Sequence, residues 1–93
     1  MATSLELTVF NKVGLHARPA AQFVKKAASF KSQVQVENLS KVTKAVNAKS
    51  LLSLLSISVQ KEDHIRITAS GEDESQAVDA LRELVESNFG EEA

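Results

Sequence analysis

The 93-residue chain has no cysteine, no tryptophan and no tyrosine, a single proline and only three glycines. Without cysteine there can be no disulfide, no thiolate metal ligand and no thiol nucleophile, and a reducing cytoplasmic setting is compatible with the composition. Four phenylalanines are the only aromatic side chains, and eleven Lys plus Arg stand against twelve Asp plus Glu for a net charge of -1. That balance supplies neither the basic field nor the stacking platform of a nucleic-acid binder, so no nucleic-acid partner is expected. Long apolar runs are missing too. Nothing approaches the roughly 20 residues that span a bilayer, and "MATSLELTVF" lacks a basic stretch followed by an apolar one. The expectation is a soluble, unprocessed chain without membrane insertion, folded as one domain over residues 1–93. A domain of this size buries about two-thirds of the surface its unfolded chain exposes.

Clear periodicity is present. In "SLELTVF", Leu5, Leu7 and Val9 alternate with polar residues as in a strand with one buried face. From Ala17 to Phe30 the apolar positions Ala20, Phe23, Val24, Ala27 and Ala28 recur at helical spacing, with Pro19 in the first turn, where its missing N–H costs nothing. "QVQVEN" predicts a second strand and "TKAVN" a short third one, the two forming a hairpin. Leu51, Leu52, Leu54 and Leu55 fit a short helix whose end is blurred by the alternation in "SISV". "DHIRITASG" is the clearest strand, with Ile65, Ile67 and Ala69 inward. An acidic "EDE" then opens a helix carrying Ala77, Val78, Leu81, Leu84 and Val85 as far as Phe89, with Gly90 as its stop. The order β-α-β-β-α-β-α predicts an α+β fold, an open-faced β-sandwich of a four-stranded antiparallel sheet covered on one face by three helices.

The stretch "GLHARPA", Gly14 to Ala20, carries the chemistry. A helix beginning near Ala17 places His16 at its N-cap, beside backbone N–H groups that lack partners within the helix. Such a position attracts anions, and Ala17 marks the anion site. The helix end favours a neutral ring whose free nitrogen can attack an electrophile. If the electrophile is a phosphoryl group, the modified ring meets unpaired donors and the charge of Arg18. The plain alternative is a histidine that caps the helix or faces solvent, with Arg18 as a surface charge. His64 lacks this setting and is expected to be structural or solvent-facing. Two histidines so far apart make no case for a metal, and no cofactor is called for.

Downstream, "VNAKSLLSLLS" sets Ser50 before four leucines. Asn47 and Ser50 read as ordinary cap residues, and a helix of two turns cannot bury all four leucines. Leu51, Leu52 and Leu55 are the candidates for an exposed docking surface. Lys49, with Lys12, Lys25 and Lys26, would form its polar rim.

The His-Ala-Arg-Pro core, the Asn-x-Lys-Ser segment about thirty residues later and the order of elements together resemble the histidine-containing phosphocarrier (HPr) family of the bacterial phosphoenolpyruvate-dependent sugar phosphotransferase system. The resemblance implies that His16 takes a phosphoryl group on Nδ1 from phosphorylated Enzyme I and passes it to an Enzyme IIA domain. Arg18 would stabilise the group. The protein would then be a carrier rather than an enzyme. The resemblance also implies the open-faced sandwich and makes Ser50 a candidate for regulatory phosphorylation by a serine kinase/phosphorylase. Some positions depart from the commonest family pattern. "ENLSKVTKA" is a longer connection, Ser53 and Ser58 stand where glycine is frequent, and leucines replace methionines in the short helix. A nitrogen-branch or dihydroxyacetone-kinase-linked paralogue would keep the histidine chemistry and change the recipient. A regulatory docking protein controlled at Ser50 is the alternative from another class. The acidic "GEEA" tail suggests no fused domain.

Overall fold

The computed structural model describes residues 2–90, so the tail from Glu91 to Ala93 lies outside the described residues. The elements are β1 (Ala2–Thr8), α1 (Ala17–Ala28), β2 (Gln33–Asn38), β3 (Val46–Asn47), α2 (Leu51–Ser56), β4 (His64–Ser70) and α3 (Glu74–Glu86), followed by a turn at Asn88–Gly90. The sheet is antiparallel, in the order β1-β4-β2-β3.

Period-two patterning explains why β4 is central. Ile65, Ile67 and Ala69 all point to the covered face, where they lie opposite Leu7, Leu5 and Thr3 on β1 and Asn38, Val36 and Val34 on β2. All three are fully buried, together with Phe23 and Ala27 of α1, Leu54 of α2 and Leu81 of α3. The other face is polar. There Arg66 reaches Glu37 at 2.7 Å and Glu6 at 3.3 Å, two surface ion pairs that add little to stability. The expected α+β open-faced sandwich is therefore the observed architecture.

Four details differ from the sequence expectation. Helix α1 ends at Ala28, itself exposed, because Ser29 takes over the cap and its hydroxyl bonds the Lys26 carbonyl. Only Val46 and Asn47 pair in the third strand, while Thr43 is drawn into a turn by its N–H bond to the Asn38 carbonyl. No strand forms at "SISV", since Ser58 adopts a φ of 48° and breaks the alternation. Finally, α3 stops at Glu86 rather than at Gly90. Asn88 and Phe89 turn left-handed, which folds the Phe89 ring back onto the core.

Candidate functional site

The segment joining β1 to α1 is held from both sides by the loop that precedes β4. The Val9 N–H donates to the Asp63 carbonyl at 3.0 Å, the Glu62 N–H donates to the Val9 carbonyl, and the Leu15 N–H donates to the Val59 carbonyl at 2.9 Å. Between these ties, Gly14 (φ 64°) closes a tight turn in which its N–H meets the Asn11 carbonyl at 3.1 Å. The Asn11 side-chain amide donates back to the Gly14 carbonyl at 2.8 Å. Leu15 is buried as an anchor, and the next residue, His16, is exposed.

His16 is the N-cap of α1 in an extended conformation (φ -116°, ψ 156°), and its side chain makes no capping hydrogen bond. The ring is thus not used up on the helix. Pro19 has no N–H to offer, so the free donors at this helix end are the N–H groups of Ala17 and Arg18. No acidic side chain occupies the first turn to compete for them. Ala17 has a φ of 27°, a left-handed conformation that costs a non-glycine residue on the order of 1 kcal/mol and persists only where the surroundings impose it. Pro19, buried in the first turn, and Leu15 are the flanking anchors that impose it here. Arg18 is exposed and belongs to none of the ion pairs among the described residues. A negative group arriving at the His16 ring would therefore meet two backbone donors, the positive end of a helix dipole and an uncommitted guanidinium.

Beside the ring is a shallow hollow of about 320 Å³ lined by Val13, Leu15, His16, Leu55, Ser58, Val59 and Gln60. Leu55 supplies one wall while half-buried against the core, so of the expected docking leucines only Leu51 and Leu52 stand out from the surface, Leu52 at 82% exposure. Leu54 is the leucine that α2 buries. Two further exposed apolar residues, Phe10 and Val13, flank the histidine segment. Phe10 was legible in principle: Leu5, Leu7 and Val9 face inward, so the next residue must face out. Ser50 caps α2, its hydroxyl accepting from the Ser53 N–H at 3.3 Å, as the cap reading of this residue requires.

The lysines do not gather at the histidine. Lys49 is half-buried and donates to the Phe30 carbonyl at 2.8 Å. Lys25 and Lys26 lie in the last turn of α1, roughly 14–15 Å along the axis from His16 at 1.5 Å per residue. Of the four expected rim residues, Lys12 alone is exposed in the histidine segment. His64 is exposed at the start of β4, with its Nδ1 at 2.7 Å from the Thr8 hydroxyl.

Bonded to Gln60 of the hollow's lining, Asp63 is the centre of a hydrogen-bond cluster. Its Oδ2 accepts from Lys41 Nζ at 2.7 Å, from Asn38 Nδ2 at 3.0 Å and from the Gln60 N–H at 3.0 Å. Burial works against the charge, yet Lys41, Gln60 and Asn38 together hold the carboxyl at about 2, below its ordinary 3.8. A second carboxylate, Asp73, is likewise held at about 2 by the Ser32 hydroxyl and the N–H groups of Lys31 and Ser32, which tie α3 to the start of β2.

Fold and site together define a small α+β protein that presents one imidazole, at a helix N-terminus, on an open and partly apolar surface. The family model for the phosphotransferase-system HPr component phosphorylation site matches residues 3–87. The chain belongs to the HPr family. It is similar to the phosphocarrier protein HPr of Xylella fastidiosa, at 41% identity over 94% of each chain. It is 38% identical, over 97% of its own length, to the multiphosphoryl transfer protein of Salmonella typhimurium, of which it spans 24%. Among solved structures, HPr-C-His from Thermoanaerobacter tengcongensis superposes with a TM-score of 0.92 at 45% identity, covering 98% of this chain and 99% of that one. Among the described residues, no helix is long and apolar enough to cross a membrane.

Proposed function

We propose that this protein is a phosphoryl carrier of the phosphotransferase system, loaded on His16 by phosphorylated Enzyme I and unloaded by an Enzyme IIA domain. The observation that carries this reading is an exposed N-cap imidazole that makes no capping bond, beside helix N–H groups with no acidic residue in the first turn. In the forward step the ring Nδ1 lone pair attacks phosphorus, the bond from phosphorus to the donor breaks, and the donor keeps that electron pair. The Ala17 and Arg18 N–H groups and the Arg18 guanidinium compensate the charge on the phosphoryl oxygens. The second transfer runs the same way, with the acceptor's nucleophile attacking and His16 leaving. Phosphoryl transfer depends chiefly on positioning and charge, much of which the partners supply. An exposed ring at the edge of a shallow, open hollow suits this role, because two different proteins must reach one atom in turn.

Leu51, Leu52, Phe10 and Val13 form the apolar part of the docking surface, and Leu55 shapes the hollow beside the ring. Ser50 is a second, regulatory site in this reading. A phosphoryl group there would set two negative charges next to Leu51 and Leu52, hindering an acidic or apolar partner surface.

Intact-mass measurement after incubation with phosphoenolpyruvate and a bacterial Enzyme I tests the carrier reading. The expected result is one acid-labile phosphoryl adduct on the wild type and none on His16→Ala. An adduct that survives in His16→Ala, or none on the folded wild type with an Enzyme I that loads its own carrier, would refute it.

A further inference from the structure

The connection from β2 to β3 does more than reverse the chain. It crosses to the loop between α2 and β4 and is pinned there by side chains: Lys41 Nζ donates to the Ser58 carbonyl at 2.7 Å and to Asp63 Oδ2 at 2.7 Å. Asn38 Nδ2 donates to the Ile57 carbonyl and to the same Asp63 oxygen, both at 3.0 Å. Asp63 in turn accepts from the Gln60 N–H, and the Ser40 hydroxyl accepts from the His64 N–H at 2.9 Å. Ile57, Ser58 and Asp63 are thereby fixed from outside by one strap, and Gln60 is tied to Asp63 within the loop. The strap itself holds Val42 at a φ of 54°, and the loop it grips holds Ser58 at 48° and Glu62 at 74°. Three non-glycine residues in left-handed backbone mark a region whose conformation is imposed by its surroundings.

The gripped loop is also the seat of the histidine segment. Its Val59 carbonyl receives the Leu15 N–H, and its Asp63 carbonyl and Glu62 N–H hold Val9. Ser58, Val59 and Gln60 line the hollow beside His16. A continuous path therefore runs from Lys41 through Asp63 and Ser58 to Val59, Leu15 and the reacting ring. From this path we infer that Lys41, acting with Asn38 through Asp63, is a positioning residue for His16 that sets the pose of the ring for phosphoryl transfer without touching it. The inference rests on the carrier reading of His16. Its physical basis is that transfer rates respond steeply to sub-ångström placement of the nucleophile.

The experiment compares Lys41→Met with Lys41→Arg, Asp63→Asn and, as a control on the same connection, the exposed Lys44→Met. Rates of loading from phosphorylated Enzyme I are read as kcat and KM, and amide hydrogen exchange is followed at Leu15 and along β4. Lys41→Met and Asp63→Asn are expected to lower kcat about tenfold with KM changed less than about twofold. Exchange at the Leu15 amide should accelerate while β4 amides keep their protection. Lys41→Arg should restore most of the rate, and Lys44→Met should behave as wild type. Unchanged kcat and unchanged Leu15 exchange in Lys41→Met would overturn the inference. So would acceleration of β4 amides as large as that at Leu15, which marks general destabilisation, or a rise in KM alone, which marks docking. If the wild type accepts no phosphoryl group, the carrier reading fails by itself, and Leu15 exchange still decides whether Lys41 holds the segment.

Discussion

Replacing Gly14 by alanine tests the geometry of the site most directly. A Cβ on this residue would lie 2.4 Å from the Val59 carbonyl oxygen, 2.7 Å from Gln60 Cα and 2.9 Å from the Gln60 carbonyl carbon. All three are backbone atoms, so no rotamer change relieves the overlap. At φ 64° an alanine costs about 1 kcal/mol more than glycine. Moving residues 13–15 away from Val59 forfeits the Leu15 hydrogen bond, worth another ~1 kcal/mol. Residual overpacking adds at least ~1 kcal/mol. The sum is about 3 kcal/mol, which for a domain of this size lowers Tm by about 12–24 °C. Gly90→Ala separates the contributions, because Gly90 has a similar φ of 75° but nothing within 4 Å of an added Cβ. It should cost no more than about 1 kcal/mol. The assay is thermal unfolding by circular dichroism, followed by the phosphoryl-loading rate at a temperature where Gly14→Ala is still folded. That rate should also fall, since the shift carries Leu15 and His16 with it. A Tm within about 2 °C of wild type, or a loss no larger than that of Gly90→Ala, would refute the claim that the 14–15 segment is seated against Val59 and Gln60.

Three further expectations use the same measurements. Ser58→Gly removes a left-handed serine and should raise Tm by about 2–4 °C, the relief of roughly 1 kcal/mol being partly offset by a freer unfolded chain; a fall in Tm would show that the Ser58 side chain contributes more than its backbone costs. Leu52→Glu, at a position 82% exposed, should leave Tm within about 2 °C while raising KM for Enzyme I about tenfold at constant kcat, and an unchanged KM would remove Leu52 from the docking surface. Asp63 and Asp73 have folded pKa values near 2, below their ordinary 3.8, so their contribution to stability is fully present above about pH 4 and is lost as pH falls towards 2. In Asp73→Asn the loss of stability between pH 4 and 2 should be shallower than in wild type, and parallel acid curves would count against the Lys31 and Ser32 hydrogen bonds.

The elements were legible wherever burial on one face dictates a period. Ile65, Ile67 and Ala69 declared β4, and Phe23 with Ala20 and Ala27 declared α1, because their alternatives would expose apolar surface. His16, Ala17 and Arg18 could be placed at a helix N-terminus from the apolar period that starts near Ala17 together with Pro19, whose fixed φ and missing N–H suit the first turn. The rim lysines were not legible. Whether Lys49 faces a partner or the Phe30 carbonyl depends on where α1 ends relative to β3, and that separation is not encoded locally. The inward turn of Leu55 was hidden for the same reason, since two turns of helix offer no unique face until α1 and the β4 loop are packed against it.

Sequence by itself thus determined which segments fold, which side of each is apolar and which ring stands at the start of α1, since these follow from side-chain period and backbone sterics within a few residues. Only the tertiary structure decided what supports that ring. The seat formed by Val59 and Gln60, the strap from Asn38 and Lys41, and the junction at Asp63 join residues some twenty to forty-five positions apart. Long-range hydrogen bonds of this kind leave no period along the chain, because their partners are chosen by the packing of the sheet and helices and by nothing adjacent in sequence.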